Sequence, residues 1–424
     1  MSKFPPKLGA SVADAQILHV PLDHFNMSDP RTLPLRYWID SSVAKEGGPI
    51  FIHMGGEAAA GPVRAGPREE AHGAVAVGYE HRFYGESVPE GELERDNMPY
   101  LSVEQNLADA KAVVEHVRGS GTNAAVAFGG SYSGATCAWF RVQYPETVAG
   151  CVSESGVVNA ILNFTEFDTV IAQATSHPDT ECSGRLHAAF AAVDRAFFAG
   201  HNDTIKKQFN ASNLVGTPNG DTDFMYAIAD ATAMLDQYGS KAELCAGLQE
   251  IAPDASDDER ISNLGDIINK AYGSTFVSGC FYDSVCVRDR TKSGSGVGER
   301  QWRWQKCSQL AYLQAAPRND LRVRSELLTL DVLLAQCDFM FGVTPDTSII
   351  NAKFGGANPK GTNIFFINYS DDPWKAASVE HSEGASLPFC MTTCDGCGHC
   401  GAGVPANLTK CEDSASDYVS LWLK

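Results

Sequence analysis

Short apolar runs alternate with helical patterns over the first 160 residues of the chain. The segments 49–56, 74–80 and 124–130 are apolar and β-rich, and each predicts a buried strand. Residues 101–117 carry apolar side chains at helical spacing, with Ser102 as the expected N-cap, and a further helix is expected after Gly134. Strands and helices that alternate in this way predict a mostly parallel α/β sheet.

The pattern changes after about residue 159. From there to about residue 344 the sequence is alanine-rich, polar and helical, with glycine-containing loops at 216–223 and 291–300. A strand pattern returns at 363–374 and runs into an acidic turn. We therefore expect an α/β domain made of residues 1–159 and 345–424, with a helical domain of residues 160–344 inserted into it.

Composition narrows the classes of protein that fit. The 424 residues include 52 acidic and 33 basic side chains, and the formal charge of −19 argues against a nucleic-acid partner. We also expect no membrane span, because no apolar run is long enough.

The cysteines and the glycosylation sequons indicate where the protein works. Thirteen cysteines favour an oxidising compartment, either secreted or lysosomal and vacuolar. The opening residues 1–8 lack the apolar core of a signal peptide, so this location requires a leader that is not in the sequence given. Six Asn-x-Ser/Thr sequons agree with the secretory route and are candidate glycosylation sites: Asn26, Asn163, Asn202, Asn210, Asn368 and Asn407.

The segment 129–134, GGSYSG, stands where a predicted strand ends and a helix begins. This context predicts a nucleophile elbow that exposes Ser131 on a sharp turn between small neighbours. Ser133 occupies the last position of the G-x-S-x-G pattern, and serine is small enough to serve there. The alternative interpretation is an ordinary glycine-rich turn.

A serine nucleophile needs a base and a carboxylate that orients the base. In an α/β-hydrolase the three residues occur along the chain in the order serine, acid, histidine. Asp372 follows the last predicted strand and is the preferred acid, with its neighbour Asp371 as the rival. His399 lies in a glycine-rich loop that suits a base, whereas His381 is interpreted as a surface residue.

The developing oxyanion of an acyl transfer needs N–H donors that are already in position. The residue after the nucleophile, Tyr132, is expected to supply one donor. The loop after the first predicted strand is expected to supply the other, from Gly56 or Glu57. The two glycines of that loop are also consistent with a simple tight turn.

A cluster of cysteines surrounds His399 and could be mistaken for a zinc site. A zinc ribbon usually needs a second paired knuckle beside Cys394 and Cys397, and Cys411 stands alone. Thiols in an oxidising compartment form disulfides, so we expect disulfides and no metal or other cofactor. The odd cysteine count leaves at least one free thiol, for which Cys137 is a candidate. The clustered residues are Cys390, Cys394, Cys397, His399, Cys400 and Cys411.

These motifs together resemble the serine peptidase family that contains lysosomal Pro-X carboxypeptidase, dipeptidyl peptidase II, thymus-specific serine protease and the fungal prolyl endoproteases. The resemblance runs in order along nearly the whole chain and is carried by PLDHF (21–25), EHRFYGES (80–87), GGSYSG (129–134), RQWRWQKC (300–307), DDPW (371–374) and GHC (398–400).

The resemblance implies an α/β-hydrolase fold with a helical cap inserted between nucleophile and acid. It implies that Ser131 is the nucleophile, Asp372 the acid and His399 the base, and that peptide substrates are cleaved after proline or a small apolar residue. Trp374 and Ala135 would line the pocket for that residue. The resemblance also implies a disulfide between Cys307 and Cys337.

Other functions remain open at this stage. The same residues could serve a non-peptidase acyl esterase, or the fold could belong to an inactive, disulfide-stapled binding protein. The sequence also leaves open the choice between exopeptidase and endopeptidase action and the oligomeric state, including a homodimer.

Overall fold

The computed structural model describes residues 14–294, 298–319, 322–381, 384 and 386–424, so the opening segment 1–8 lies outside the described residues. The strands are β1 (Gln16–Pro21), β2 (Thr32–Asp40), β3 (Ile50–His53), β4 (Val75–Tyr79), β5 (Ala125–Gly130), β6 (Gly150–Glu154), β7 (Ile161–Asn163), β8 (Ala311–Leu313), β9 (Ile364–Tyr369) and β10 (Phe389–Thr392). The helices are α1 (Pro67–His72), α2 (Val103–Arg118), α3 (Ser131–Gln143), α4 (Glu166–Ala174), α5 (Cys182–Phe198), α6 (Asn202–Gln208), α7 (Gly220–Gln237), α8 (Lys241–Leu248), α9 (Asp257–Tyr272), α10 (Ser284–Asp289), α11 (Glu299–Gln305), α12 (Leu330–Phe341), α13 (Thr347–Phe354) and α14 (Lys410–Trp422).

Within the described ranges, eight strands form one central sheet in the order β1-β2-β4-β3-β5-β6-β9-β10. The pairs β1–β2 and β2–β4 are antiparallel, and every pair from β4 onward is parallel. Crossover helices join the parallel strands, as such connections require. This is the α/β-hydrolase arrangement, and it brings the segments that follow β5, β9 and β10 to the same edge of the sheet.

Both faces of the sheet are covered, and the alternation of side chains along β3 shows how. Ile50 and Ile52 point into the larger core, which the inserted helices share, while Phe51 points into a second core. Helix α14 closes that second core with Ala415 and Val419. A strand that is buried on both faces reads as a continuous apolar run, which is why β3 was predictable from sequence.

The region between β6 and β9 carries α4 to α13 and the short parallel pair β7–β8. Aromatic side chains of this region pack onto the segment that follows β9, where the ring centroids of Phe167 and Trp374 lie 5.0 Å apart. No helix in the described part of the chain is long and apolar enough to cross a membrane.

A buried ion pair fixes the segment 80–87 beneath the sheet edge. The Arg82 guanidinium donates to both carboxylate oxygens of Asp109, at 2.6 and 2.8 Å, and both side chains are fully buried. The same guanidinium donates to the backbone carbonyls of Leu22 and Tyr100. All of these partners are internal, so the charge is neutralised without water.

The cysteine pairing differs in one respect from the expectation. The described residues include all thirteen cysteines, and twelve of them form disulfides: Cys137–Cys151, Cys182–Cys245, Cys280–Cys286, Cys307–Cys337, Cys390–Cys411 and Cys394–Cys397. The expectation that Cys137 is free is wrong, because it is bonded to Cys151 of β6. Cys400 is the free thiol, and it is exposed.

The six sequons do not all lie at the surface. The side chain of Asn368 is fully buried in β9, and its amide donates to the carbonyl of Val379 at 2.7 Å. Asn368 is therefore wrong as a glycosylation candidate in the folded protein, because a glycan cannot reach it. Asn202 is half-buried and the remaining four are exposed: Asn26, Asn163, Asn210 and Asn407.

Candidate active site

The turn from β5 into α3 holds Ser131 in a backbone conformation that non-glycine residues seldom adopt. Its φ is +58°, in the left-handed region. A side chain on Gly129 could not be accommodated, since its Cβ would lie 2.1 Å from the carbonyl oxygen of Ser133. This sharp strand-to-helix turn is the geometry of a nucleophile elbow, and it leaves Ser131 partly accessible.

Ser133 explains how serine can replace glycine at the end of the motif. Its hydroxyl donates to the carbonyl oxygen of Gly130 at 2.7 Å and accepts from the Gly130 amide at 3.0 Å. The Ser133 side chain therefore forms two hydrogen bonds with the backbone of the turn and stabilises it. A glycine at this position would fit the turn but could not form these hydrogen bonds.

Asp372 and His399 are in contact. Nδ1 of His399 lies 2.8 Å from Oδ2 of Asp372, and both side chains are buried. The other carboxylate oxygen, Oδ1, accepts from the backbone amide of Trp374 at 2.8 Å and fixes the orientation of the carboxylate. Asp372 follows β9 and His399 follows β10, so the parallel sheet brings them together.

The rival residues lie elsewhere. The Asp371 carboxylate accepts from Nζ of Lys241 at 2.7 Å and from the amide of Gly396 at 2.8 Å, so it faces away from the imidazole. His381 is exposed at the surface. Asp372 therefore pairs with His399, whereas Asp371 is held by Lys241 of the inserted helices and by the backbone amide of Gly396.

The electrostatics of His399 follow from these contacts. Burial lowers the pKa of His399, but the neighbouring charges of Asp372 and Cys400 outweigh burial, and the net pKa lies well above its ordinary value. Nε2 of His399 is buried and has no hydrogen-bond partner among the described residues. Because Nδ1 is paired with Asp372, Nε2 is the ring nitrogen that can accept a hydrogen bond from a hydroxyl group.

The loop of residues 396–403 carries His399, the predicted base, and is called the base loop; it lies against the turn at Ser131. A Cβ on Gly130, next to Ser131, would come within 3.1 Å of the sulfur of Cys400, which follows His399. The backbone amide of Cys400 donates to the hydroxyl of Ser155, after β6, at 3.0 Å. The structure thus brings the Ser131 turn and the His399 loop into direct proximity.

Tyr132 is anchored on the inner side of the elbow. Its hydroxyl accepts from Nε2 of Gln305 at 2.6 Å and lies 3.1 Å from Nε2 of His81. Burial lowers the pKa of His81 to about 4, so that imidazole is neutral at ordinary pH. With its side chain held at two points, the backbone of Tyr132 at the start of α3 is fixed in position.

The loop after β3 passes beside the first turn of α3. A Cβ on Gly56 would lie 3.8 Å from Cβ of Ser133, and the carbonyl of Glu57 accepts from the amide of Gly298 at 3.0 Å. Burial raises the pKa of the Glu57 carboxyl, although its own amide and His399 oppose the rise.

Trp374 lies among aromatic rings contributed by the inserted region. Its centroid is 5.8 Å from that of Phe164, 5.0 Å from that of Phe167 and 5.7 Å from that of Tyr312, and it is 6.2 Å from His399. The indole is half-buried. Ala135 is fully buried in α3, and its role in a substrate pocket stays a prediction.

Sequence reasoning missed the residues that the inserted helices bring to the site. The end of α7 presses against the base loop, since a Cβ on Gly398 would lie 2.3 Å from the carbonyl oxygen of Gln237. The side chain of Gln237 accepts from Nε1 of Trp374 at 3.0 Å. No local motif marks Gln237, Phe164 or Tyr312, because their importance arises only from packing over long sequence distances.

Comparison with known proteins agrees with this arrangement. The family model described as serine carboxypeptidase S28 matches residues 20–413. Thymus-specific serine protease of Mus musculus is 29% identical over 403 residues, covering 88% of this chain and 79% of that protein. A probable serine protease of Arabidopsis thaliana is 31% identical, covering 89% of this chain and 78% of that protein.

A further relative carries a specific activity in its name. Lysosomal Pro-X carboxypeptidase of Homo sapiens is 26% identical over 414 residues, covering 88% of this chain and 81% of that protein. Among solved structures, an acetylester hydrolase from Corynebacterium glutamicum superposes with a TM-score of 0.39 at 10% identity, covering 97% of this chain and 96% of that chain. The protein is a serine hydrolase that belongs to the serine carboxypeptidase S28 family of serine peptidases.

Proposed function

We propose that this serine peptidase cleaves peptides after proline, or after a small apolar residue, through a triad of Ser131, His399 and Asp372. The observation that carries the proposal is the buried 2.8 Å contact between His399 and Asp372 beside the elbow that presents Ser131. Whether the enzyme removes terminal residues or cuts within chains depends on the loops of the inserted region, and the proposal covers both modes.

In the proposed reaction, Nε2 of His399 takes the hydroxyl proton of Ser131 as the oxygen attacks the acyl carbon. Asp372 keeps the other ring nitrogen protonated, so that Nε2 can accept. The imidazolium then gives the proton to the leaving amine, and an acyl-enzyme forms on Ser131. Water, activated by the same histidine, hydrolyses the acyl-enzyme and restores the free serine.

The tetrahedral intermediates carry an oxyanion that needs donors at fixed positions. We assign one donor to the amide of Tyr132, which benefits from the anchoring of its side chain by Gln305 and His81. We assign the second to the loop at Gly56 and Glu57. Burial raises the pKa of the Glu57 carboxyl, which widens the pH range in which that loop carries no negative charge.

We assign Trp374 to the wall of the pocket for the residue before the scissile bond. Its indole is 6.2 Å from His399 and half-buried among Phe164, Phe167 and Tyr312, which gives a flat apolar surface. A pyrrolidine ring is rigid and apolar, so it fits such a wall at little entropic cost. The lysosomal Pro-X carboxypeptidase similarity supports the same preference.

We further propose that residues 160–344 act as a cap over this site, and that the protein works in a secreted or lysosomal location. The cap role is supported by Gln237 and Phe167, which reach the base loop and Trp374 from that region. The location is supported by six disulfides within the described residues, since an oxidising compartment is needed to form them.

The test is digestion of a mixed peptide library, read by mass spectrometry, with the wild-type protein beside the Ser131→Ala and Trp374→Ala variants. Wild type should cut after proline or small apolar residues, and Ser131→Ala should make none of these cuts. Trp374→Ala should still react with a fluorophosphonate at Ser131 while losing the preference for proline.

Three outcomes would overturn the assignment. Cuts that persist in the Ser131→Ala variant would remove Ser131 from the reaction. Cuts with no preference before the scissile bond would refute the pocket. A folded wild-type protein that cleaves short acyl esters but no peptide would favour an esterase.

A further inference from the structure

Cys400 carries a nucleophilic thiol at the site that the proposed mechanism does not use. It is the free thiol among the thirteen cysteines, all of which are described, and it is exposed to solvent. The other twelve are paired in disulfides, so they have no reactive thiol.

The sulfur of Cys400 lies beside the turn that carries Ser131. Cys400 has a left-handed φ of +50°, and its amide is held by the hydroxyl of Ser155 at 3.0 Å. The sulfur would lie 3.1 Å from a Cβ on Gly130, so it is directed at the turn that carries Ser131. Anything attached to the sulfur would therefore occupy the mouth of the elbow.

A second, independent feature points at the same spot. His399 is only 3% exposed, yet its Nε2 has no hydrogen-bond partner among the described residues. Its Nδ1 is occupied by Asp372, so Nε2 is the ring nitrogen that can face the Cys400 thiol, whose interaction contributes to the raised pKa of the histidine. Nε2 of His399 can therefore accept the proton of the Cys400 thiol.

Surrounding protein atoms raise the pKa of the Cys400 thiol, although protonated His399 opposes the rise. The thiol therefore needs a base to remove its proton. A thiolate is the reactive form in disulfide exchange. Transfer of the thiol proton to Nε2 of His399 supplies the thiolate at the moment of attack.

We propose that Cys400 is a reversible modification site that forms a mixed disulfide with a low-molecular-weight disulfide, such as glutathione disulfide, and thereby blocks Ser131. The Cys400 sulfur attacks one sulfur of the small disulfide, and the S–S bond of that molecule breaks. The leaving thiolate takes the proton that His399 removed from Cys400. Cys400 and one half of the reagent are joined, and one small thiol is released, so atoms and electrons balance.

The consequence for activity rests on the proposed function of Ser131, whereas the modification itself does not. The attached group would stand between the base loop and the elbow, where a substrate acyl group has to lie. Attack by a reduced small thiol on the mixed disulfide would restore Cys400. The redox state of the surrounding small thiols would then set the fraction of active enzyme.

The experiment treats the intact wild-type protein and a Cys400→Ser variant with glutathione disulfide at neutral pH. Intact-mass measurement and peptide mapping should show one glutathionyl group on Cys400 in the wild type and none in the variant. Fluorophosphonate labelling of Ser131 should fall with the modified fraction and return with reduced glutathione. The Cys400→Ser variant should be labelled equally with and without the disulfide.

A His399→Asn variant tests the role of the base by mass alone, without any need for activity. It should gain the adduct about tenfold more slowly or worse, because thiolate formation is no longer assisted. No adduct on wild-type Cys400, under conditions that modify an unstructured peptide containing residues 395–405, would overturn the proposal, as would an adduct that leaves Ser131 labelling undiminished. If untreated wild type is not labelled at all, the proposed function fails, and the adduct result still decides whether Cys400 is a modification site.

Discussion

Exchange of one carboxylate oxygen for an amide nitrogen at Asp372 is a sharp test of the His399 contact. In the structure, Oδ2 of Asp372 accepts from Nδ1 of His399, and this keeps the proton on Nδ1 and leaves Nε2 free. In an Asp372→Asn variant the amide can instead donate to Nδ1. The ring proton then moves to Nε2, which can no longer accept from Ser131.

The size of the effect follows from this change of tautomer. Loss of the acid by the same substitution in a Ser-His-Asp triad lowers kcat about 10⁴-fold, which corresponds to about 5.4 kcal/mol of transition-state stabilisation. Folding should be little affected, because the asparagine carbonyl can still accept from the amide of Trp374 as Oδ1 does now. The neighbouring Asp371→Asn variant is the matched control, because Asp371 pairs with Lys241 and not with His399. Lys241 keeps a second carboxylate partner, Asp395 at 2.5 Å, so its charge stays neutralised in this variant.

The assay is the rate of fluorophosphonate labelling of Ser131, together with hydrolysis of a prolyl ester over a range of pH. Asp372→Asn should slow both by roughly three to four orders of magnitude, and Asp371→Asn by less than about tenfold. Removal of the Asp372 charge also lowers the pKa of His399, so the residual activity should extend to lower pH than in the wild type. The reasoning is refuted if Asp371→Asn is as damaging as Asp372→Asn, or if Asp372→Asn stays within tenfold of the wild type.

Three further predictions test the fold and the site. Asp109→Ala should lower the free energy of unfolding in urea by about 3–5 kcal/mol, because it leaves the Arg82 guanidinium buried without a counter-charge, and a loss below 1 kcal/mol would contradict this. Glu57→Gln should retain kcat/KM where the wild type loses it as pH rises through the raised pKa of Glu57, because the anionic carboxylate opposes the oxyanion; identical pH profiles would disprove the role. Glycan mapping of protein from a eukaryotic secretory host should find Asn368 unmodified, and a glycan there would show that the buried amide is accessible.

The sequence was most informative where structure is decided locally. The strand, turn and helix around Ser131 were predictable, because an apolar run, small residues and helical spacing follow each other within about twenty positions. Helix α2 and its Ser102 cap are confirmed in the same way, with the Ser102 hydroxyl accepting from the amide of Gln105. Strands β3, β4, β5 and β9 were also predicted.

Other elements were missed although a signal existed. In β2, Leu33, Leu35 and Tyr37 alternate on one buried face, but Pro34 interrupts the pattern and obscured it. Strand β10 is four residues long and contains Cys390, so its sequence indicates a cysteine cluster and not a strand. Short edge strands are recognised by pairing with their neighbours, and sequence alone does not supply that pairing.

The pairing of the cysteines and the residues that the inserted region brings to the site could not be predicted from the local sequence pattern. Cys137 is fully buried, and its bond to Cys151 depends on the packing of α3 against β6. Gln237 reaches the base loop from a helix about 160 residues earlier in the chain. Such contacts are consequences of tertiary structure, so the residues carry no motif of their own.

The measurement that tests the central claim most directly is capture of the covalent intermediate. An activated ester of N-blocked proline is mixed with the wild-type protein, quenched in acid within the first turnover and mapped by mass spectrometry. The account predicts the prolyl acyl group on Ser131, and its absence in the Ser131→Ala variant. Turnover of the ester with no acyl group on Ser131, or with the acyl group on Cys400 instead, would contradict it.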